Sequence, residues 1–479
     1  MPLTTPTPQS DRSNGSATGF ALLERVSSRT NAWVEQWMPD AFIFALGGTL
    51  IVALGALMVD AEMRANPLRI IDAWGSGFWS LIPFTLQMTM MIVSGYVLAT
   101  SPAVFRFIQR AAEMPRTAKG AVVLVALFSM LSSLLNWGFS VIFGAVLARE
   151  VARRVPKADY RALAAASCTG LGTVWAQGLS GSAALQMASA ASMPPALVKM
   201  VGVIPLTETI FRWESAVCVL VEIVVVTGVW WMFAPGPARS RSAADLGMDL
   251  GPATTPVLPP PERKGEVLEH SPVLMLPLVV LGFVYLGRSV AARSSSFSSA
   301  VTAFDFNTIN LFLLMLGGLL HWTPASLMRA VRDATPAASG VLLQYPFYAG
   351  IFGIMTGTGL SAAIANVFVH VSSAALYPAM IFTYSAVLGI FVPSGGAKWV
   401  IEAPYVLQSA QQLGVPSGWM VVTYDLGEAV ANLLQPFWML PILGIMQLKA
   451  RDVMGYTYLI ALVVFPLALM LVTVLRPTS

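Results

Sequence analysis

Residues Phe391–Gln408 read FVPSGGAKWVIEAPYVLQ. An apolar run, Ala379–Phe391, leads into Pro393-Ser394-Gly395-Gly396, and a second run with one lysine and one glutamate, Ala397–Ser409, leads out. Each arm is shorter than the ~20 residues a spanning helix needs. Proline and paired glycines break a helix and leave N–H groups bare. Hydrocarbon does not tolerate such a break, whereas a protein-lined cavity does. The stretch therefore predicts a re-entrant hairpin over residues 379–408 with its tip near mid-membrane. Its second arm aims the positive end of a helix at whatever docks there.

The surrounding chain agrees. Of 479 residues, 56% are hydrophobic and 11% charged, and mean hydropathy is +0.70. A soluble domain carries about 25% charged residues, so the composition is that of an integral membrane protein. Cys168 and Cys218 both lie in apolar runs and read as helix packing, not as a disulfide or metal pair. His270, His321 and His370 are scattered, so neither a metal site nor another cofactor is expected. No phosphate-binding G-x-x-x-x-G-K-[ST] occurs, which excludes an ATPase of its own. The net charge of +4 gathers in loops, the pattern of topology signals and not of nucleic-acid binding.

Residues 1–40 read as a Thr/Pro/Ser-rich disordered tail followed by an interfacial helix over Phe20–Met38, with no cleavable signal. Hydropathy places spans at Ala41–Val59, Ser80–Thr100, Ala162–Ala190, Glu214–Phe233, Pro272–Val290, Ala303–Trp322, Ser339–Met355, Gly418–Met446 and Met454–Leu475. One further stretch, 120–148, is broken at Asn136-Trp137-Gly138 and has basic clusters on both sides: Arg106, Arg110, Arg116 and Lys119 before it, Arg149, Arg153, Arg154, Lys157 and Arg161 after it. Positive loops stay cytoplasmic. A single crossing would strand one cluster outside, so this stretch predicts a second hairpin, entering and leaving from the cytoplasm. Residues 234–271 are rich in proline and charge and read as a solvated cytoplasmic linker between two halves, 41–233 and 272–479.

The halves share short motifs. A span ends at Thr100-Ser101-Pro102-Ala103 in one and at Trp322-Thr323-Pro324-Ala325 in the other; a broken hairpin follows each, and then an interrupted span around Gln177-Gly178 or Gln435-Pro436. The second half holds one extra crossing before its hairpin, which inverts it. The predicted fold is thus all-α and polytopic: two inverted repeats, about nine transmembrane helices and two re-entrant hairpins. The N-terminus is placed in the cytoplasm and the C-terminus outside.

The segments Ala73–Trp79 (AWGSGFW), Asn136–Phe139 (NWGF), Ala148–Pro156 (AREVARRVP), Leu179–Ser182 (LSGS), Pro346–Gly350 (PFYAG), Val392–Gly396 (VPSGG) and Gln435–Trp438 (QPFW) together resemble the bacterial short-chain fatty acid transporter family, across nearly the whole chain. That resemblance implies import of acetoacetate and butyrate-like acids across the inner membrane. It also implies membership of the ion-transporter superfamily, an elevator-type motion and a homodimer. The long N-terminal tail, the proline-rich linker and Lys398 at the second tip depart from the pattern.

A short-chain acid needs donors for its carboxylate and a small apolar pocket for its tail. Ser394, Gly395 and Gly396 offer a hydroxyl and open N–H groups at a helix start. Asn136, Trp137 and Gly138 form the facing tip, while Ser180, Gly181 and Ser182, and Asn432, Gln435 and Pro436, lie on the interrupted spans. These twelve residues form the expected substrate site. Gly/Ser pairs also let helices pack closely, and tryptophans also serve as packing. Lys398 and Glu402 are four apart on one arm, placed to pair with each other, and Glu428 lies one turn before Asn432, placed to carry a proton. Glu222 reads as a helix–helix contact. Coupling to H+ or to Na+ is left open. The chain is expected not to be an enzyme; an intramembrane acyltransferase would need a His/Asp or metal pair at depth. The rival within transport is a carrier of another small carboxylate, a dicarboxylate or a peptide-like acid.

Overall fold

The computed structural model describes residues 41–236, 240–251, 258, 260–293 and 304–477. The tail and the interfacial helix expected over Phe20–Met38 lie outside the described residues. Within them the chain is all-helical, with no strand. The first half holds α1 (Ala41–Val59), α2 (Leu68–Gly77), α3 (Ile82–Ala99), α4 (Pro102–Ala111), α5 (Ala118–Leu135), α6 (Trp137–Arg154), α7 (Tyr160–Ser167), α8 (Ser182–Met187) and α9 (Trp213–Phe233). The second holds α10 (Met275–Arg293), α11 (Phe306–His321), α12 (Pro324–Gly357), α13 (Leu360–Val371), α14 (Tyr377–Phe391), α15 (Gly395–Leu413), α16 (Ser417–Ala431), α17 (Leu440–Met446) and α18 (Ala450–Val474). Seven of these, α1, α3, α5, α9, α10, α12 and α18, are long and apolar enough to cross a bilayer.

The breaks fall where local chemistry puts them. Asn136 is extended (φ −159°, ψ 126°) and serves at once as C-cap of α5 and N-cap of α6, so the chain reverses through a single residue. The region expected as one span over Ala162–Ala190 is instead α7 and α8, joined by an unwound segment. That segment is tied to α5: Leu179 N–H donates to Leu134 O at 2.7 Å and Gly170 N–H to Ser129 Oγ at 3.0 Å. Glycine is required here by contact, because a Cβ on Gly178 would stand 2.5 Å from Leu134 O. Gly418–Met446 is likewise split, into α16 and α17. Ser339–Met355 is only the last part of α12, a 34-residue helix, and α13 was not anticipated.

α12 is the spine on which α1, α2 and α3 lie. The close crossing with α2 is built from small residues: a Cβ on Gly77 would come 2.6 Å from Gly353 Cα.

The two broken hairpins start from opposite ends of the molecule. Lys119, at the start of α5, reaches Trp231 O at the end of α9 (3.4 Å). Arg149, near the end of α6, donates to Ile445 O (2.8 Å) and Leu250 O (2.9 Å), and α18 begins beside this end, where Tyr160 donates to Met446 O (3.1 Å). At the far end of α18, Val472 O accepts from Trp419 Nε1 (3.1 Å). α16 starts here, directly after α15 ends.

Residues 240–251 are largely exposed or half-buried and are anchored to the helices. Asp159 accepts from Arg241 N–H at 2.9 Å, Tyr160 N–H donates to Arg241 O at 2.9 Å, and Arg153 binds the carbonyls of Leu250 and Gly251. Arg149 and Arg153, at the end of α6, thus have a structural use: their guanidinium groups donate to carbonyls of this segment.

Candidate substrate site

At the first tip side chains answer two of the N–H groups that open α6. Asn136 Oδ1 accepts from Phe139 N–H at 2.8 Å, and its amide nitrogen donates to Met91 O at 3.2 Å on α3. Ser180, on the unwound segment, accepts from Trp137 N–H at 2.9 Å. Asn136 and Ser180 are fully buried. Gly95 of α3 presses against this cap; a Cβ there would come 2.5 Å from Asn136 Oδ1.

At the second tip the groups stay open. Ser394 has an extended backbone and makes no side-chain cap. Its hydroxyl instead donates to Tyr345 of α12, at 3.2 Å. Lys398 N–H returns to Ser394 O at 2.9 Å. Among the described residues, none accepts from the N–H groups of Gly395, Gly396 or Ala397. A polar group without a partner is costly where water is excluded, which singles out the donors of Gly395 and Gly396 at the tip itself.

They sit beside a cavity. Its lining comprises Ser394, Gly395 and Gly396 from the second tip, Trp137 from the first, Leu171, Trp175 and Ser182 from the first interrupted region, and Glu428, Asn432 and Trp438 from the second. Met88, Val341 and Tyr345 complete the wall. Trp175 Nε1 is a buried donor with no partner. The two tips meet through Trp438, whose ring lies 4.8 Å from that of Trp137 and whose Nε1 donates to Pro393 O at 3.0 Å. Open donors thus stand opposite apolar walls, the division that a short amphipathic acid needs. The enclosed space is about 20 Å³, room for roughly one water, so a four-carbon acid enters only if side chains here move aside.

Behind the donors lies a buried charge cluster. Lys398, Glu402, Asp425 and Glu428 are each at most 3% exposed. Lys398 does not pair with Glu402. Its Nζ donates to Ser385 O at 2.8 Å and Ser385 Oγ at 3.2 Å, sits 5.0 Å above the centre of the Tyr424 ring, and lies 2.5 Å from Glu428 Oε2. Lys398 and Glu428 thus form a buried ion pair through Oε2, while Glu428 Oε1 has no partner. The reason for the choice of partner is packing. α14 lies along α16, and the lysine of α15 reaches between them, to Ser385 on α14 and Glu428 on α16. Both Glu402 oxygens are buried without a hydrogen bond. Asp425 accepts from Ala183 and Ala184 N–H at 3.1 and 3.3 Å and so ties α16 to the start of α8.

Of the residues expected at the substrate site, the structure brings Trp137, Ser182, Ser394, Gly395, Gly396 and Asn432 to the cavity, together with Glu428. Asn136, Gly138, Ser180, Gly181, Gln435 and Pro436 are not in its lining. Gln435 holds the second break in shape, accepting from Phe437 N–H at 2.7 Å and donating to Asn432 Oδ1 at 2.9 Å. Gly181 abuts Ala176 O within its own segment. Sequence reasoning missed Tyr345, Trp175 and Asp425. Asp425 was findable: it is a carboxylate in an apolar span, three residues before Glu428. The other two carry no local signal.

The chain is similar to known proteins along most of its length. The profile of the short-chain fatty acid transporter family matches residues 22–476. A relative from Escherichia coli (strain K12), provisionally named a short-chain fatty acid transporter, is 37% identical over 435 residues, covering 91% of this chain and 96% of the relative. One from Haemophilus influenzae with the same name is 33% identical over 440 residues, with coverage of 91% and 96%. In fold, the chain is similar to the crystal structure of the Alcanivorax borkumensis YdaH transporter, with a TM-score of 0.57, 12% identity, and coverage of 92% of this chain and 100% of that one. Helices built for a membrane, a cavity at their breaks and this match along the chain converge: the protein belongs to the short-chain fatty acid transporter family, a multi-pass membrane transporter and not an enzyme.

Proposed function

We propose that the chain is a secondary carrier that imports short-chain monocarboxylates, of the size of butyrate and acetoacetate, across the bacterial inner membrane, driven by a cation gradient. The observation that carries this reading is the pair of unbonded N–H groups at Gly395 and Gly396, both of which line a cavity with tryptophan walls. The carboxylate docks on these donors, with Trp175 Nε1 and the Ser182 hydroxyl completing the cradle. The carbon tail lies against Trp137, Leu171 and Trp438. Asn136, Gly138, Ser180, Gly181, Gln435 and Pro436 act one step removed, by holding the two tips and the interrupted spans in register.

In the membrane, the α5–α6 and α14–α15 pairs are re-entrant hairpins entering from opposite faces, related as parts of two inverted repeats joined by the cytoplasmic linker. The N-terminus is then cytoplasmic and the C-terminus periplasmic. The hairpins and interrupted spans move together as a transport unit against a scaffold of the other helices, in an elevator-type motion, and two copies associate through the scaffold.

The test is uptake of labelled acetoacetate and butyrate into proteoliposomes, with protein-free liposomes subtracted. Saturable uptake, competed by other short monocarboxylates and weakly by dicarboxylates, is the expected result. Preference for a dicarboxylate, or uptake that never saturates, would replace this reading with another carrier or a channel. Cysteine accessibility at Lys119 and Leu413, from opposite faces, tests the orientation.

A further inference from the structure

The cavity contains a group that an anion site should avoid. Glu428 is 1% exposed, lines the cavity, and has one carboxylate oxygen, Oε1, without a partner. It stands close to the open donors: a Cβ on Gly395 would be 3.1 Å from Glu428 Cγ. A substrate carboxylate that reaches the Gly395 and Gly396 N–H groups therefore arrives next to a second carboxylate. Two carboxylates in contact in a water-poor site cannot both stay ionised unless extra positive charge stands between them.

The positive charge available is accounted for. The charged and titratable groups facing Glu428 are Lys398 and Glu402 on α15, Asp425 and Tyr424 on its own α16, and Tyr345 on α12. α14 contributes Ser385 and Gly389 at this place, and the unwound segment and α8 contribute Trp175 and Ser182; none of these carries charge. One ammonium thus faces three buried carboxyl groups. Asp425 is held by the Ala183 and Ala184 N–H groups. Lys398 lies beside Glu428 Oε2 and is anchored on Ser385 O and Oγ. Its ammonium stands beside Glu428 Oε2, and that fixed positive charge disfavours a sodium ion at the same carboxylate.

We propose that the coupling ion is a proton carried on Glu428, and that Lys398 supplies the fixed cation that would otherwise be sodium. This rests on reading the cavity as a monocarboxylate site. A proton from the outside binds a Glu428 oxygen and neutralises it. The substrate enters as the anion and accepts a hydrogen bond from that Glu428 O–H, while the Lys398 ammonium, released from its pair, balances the substrate's charge. Lys398 keeps its proton throughout. On the inner side the anion leaves, the proton follows from Glu428, and the Lys398–Glu428 pair closes again. One proton and one monocarboxylate move together with no net charge. Glu402 is the rival carrier, but it does not line the cavity, so a substrate cannot touch its proton.

The test is calorimetric binding of butyrate to the detergent-solubilised full chain, in sodium or choline salt. From about pH 6 to about pH 9, where butyrate itself stays ionised, binding should weaken by up to about tenfold per pH unit above the Glu428 titration, equally in both salts. Glu428→Gln should flatten that slope. No binding at any pH defeats the monocarboxylate reading and this inference with it. Binding that requires sodium, or that ignores pH, overturns the proton assignment alone. A Glu428→Gln variant with the wild-type slope overturns the choice of residue. If that variant does not fold, Glu428→Asp decides: its slope should be displaced along the pH axis, and an unmoved slope overturns the assignment.

Discussion

The two hairpin tips are both helix breaks within apolar runs, and they end in opposite conditions. At the first, Asn136 and Ser180 consume the N–H groups of Phe139 and Trp137. At the second, Ser394 turns its hydroxyl away to Tyr345 and leaves three N–H groups open. Their backbones differ too: the arms α5 and α6 pack on each other, whereas α14 lies along α16. A tip whose donors are spent is a fixed wall, and one whose donors are free is a binding element. A helix break alone does not make a site; what distinguishes the two is whether neighbouring side chains have already answered the break.

The glycines give the sharpest way to break this comparison. A Cβ on Gly396 would come 2.5 Å from Phe84 Cζ, so Gly396→Ala must displace the tip. Uptake should fall on the order of 100-fold, as for an ångström-scale misplacement. Gly138→Ala at the other tip meets its nearest neighbour at 3.3 Å and should lose only a few-fold. Equal losses would erase the distinction.

Next in size is Ser180→Ala, which leaves the buried Trp137 N–H without a partner. It should cost about 1–3 kcal/mol of stability, read as a lower thermal midpoint in detergent. Asn136→Ala should likewise cost about 1–2 kcal/mol through its lost cap. Ser394→Ala should raise KM for uptake while moving the midpoint less than either. If Asn136→Ala proved thermally silent but raised KM, the first tip would be a ligand and not a wall.

Trp175→Phe removes a buried, unpartnered indole donor from the cavity with little change of shape, and should raise KM a few-fold at unchanged midpoint. The smallest effect is expected far from both tips, at Asp60. Its carboxylate accepts from Gly359 N–H at 3.0 Å, which is the main reason its carboxyl titrates below the ordinary aspartate range. A depressed carboxyl stabilises the fold above its ordinary titration range, and that contribution disappears as pH falls through the lowered value. Asp60→Asn should therefore lower the midpoint slightly at neutral pH and reduce its acid sensitivity, with uptake unaffected.

Much of the site was legible beforehand for a local reason. Proline, glycine and asparagine inside apolar runs mark breaks whatever the rest of the chain does, so both tips and both interrupted spans were found from Val392–Gly396, Asn136–Gly138, Leu179–Ser182 and Gln435–Pro436. The direction in which each polar group points was not legible. Asn136 looked as able to meet a substrate as Ser394; the approach of Met91 and Gly95 from α3 turned it inward. Lys398 and Glu402 have the spacing of a helical pair, yet α16 placed Glu428 closer. The linker's composition suggested full solvation, and Arg149 and Arg153 bound part of it.

The sequence by itself determined that this chain lives in a membrane, where its helices are interrupted, and which family it belongs to, because hydropathy and helix breaking act over a few residues. Only the tertiary structure decided which interruption keeps its donors free, and that a lysine from one arm faces a glutamate from the next helix at the edge of the cavity. Those outcomes depend on which helices meet, and residues from both halves of the chain, far apart in order, must converge before any of these groups has a neighbour.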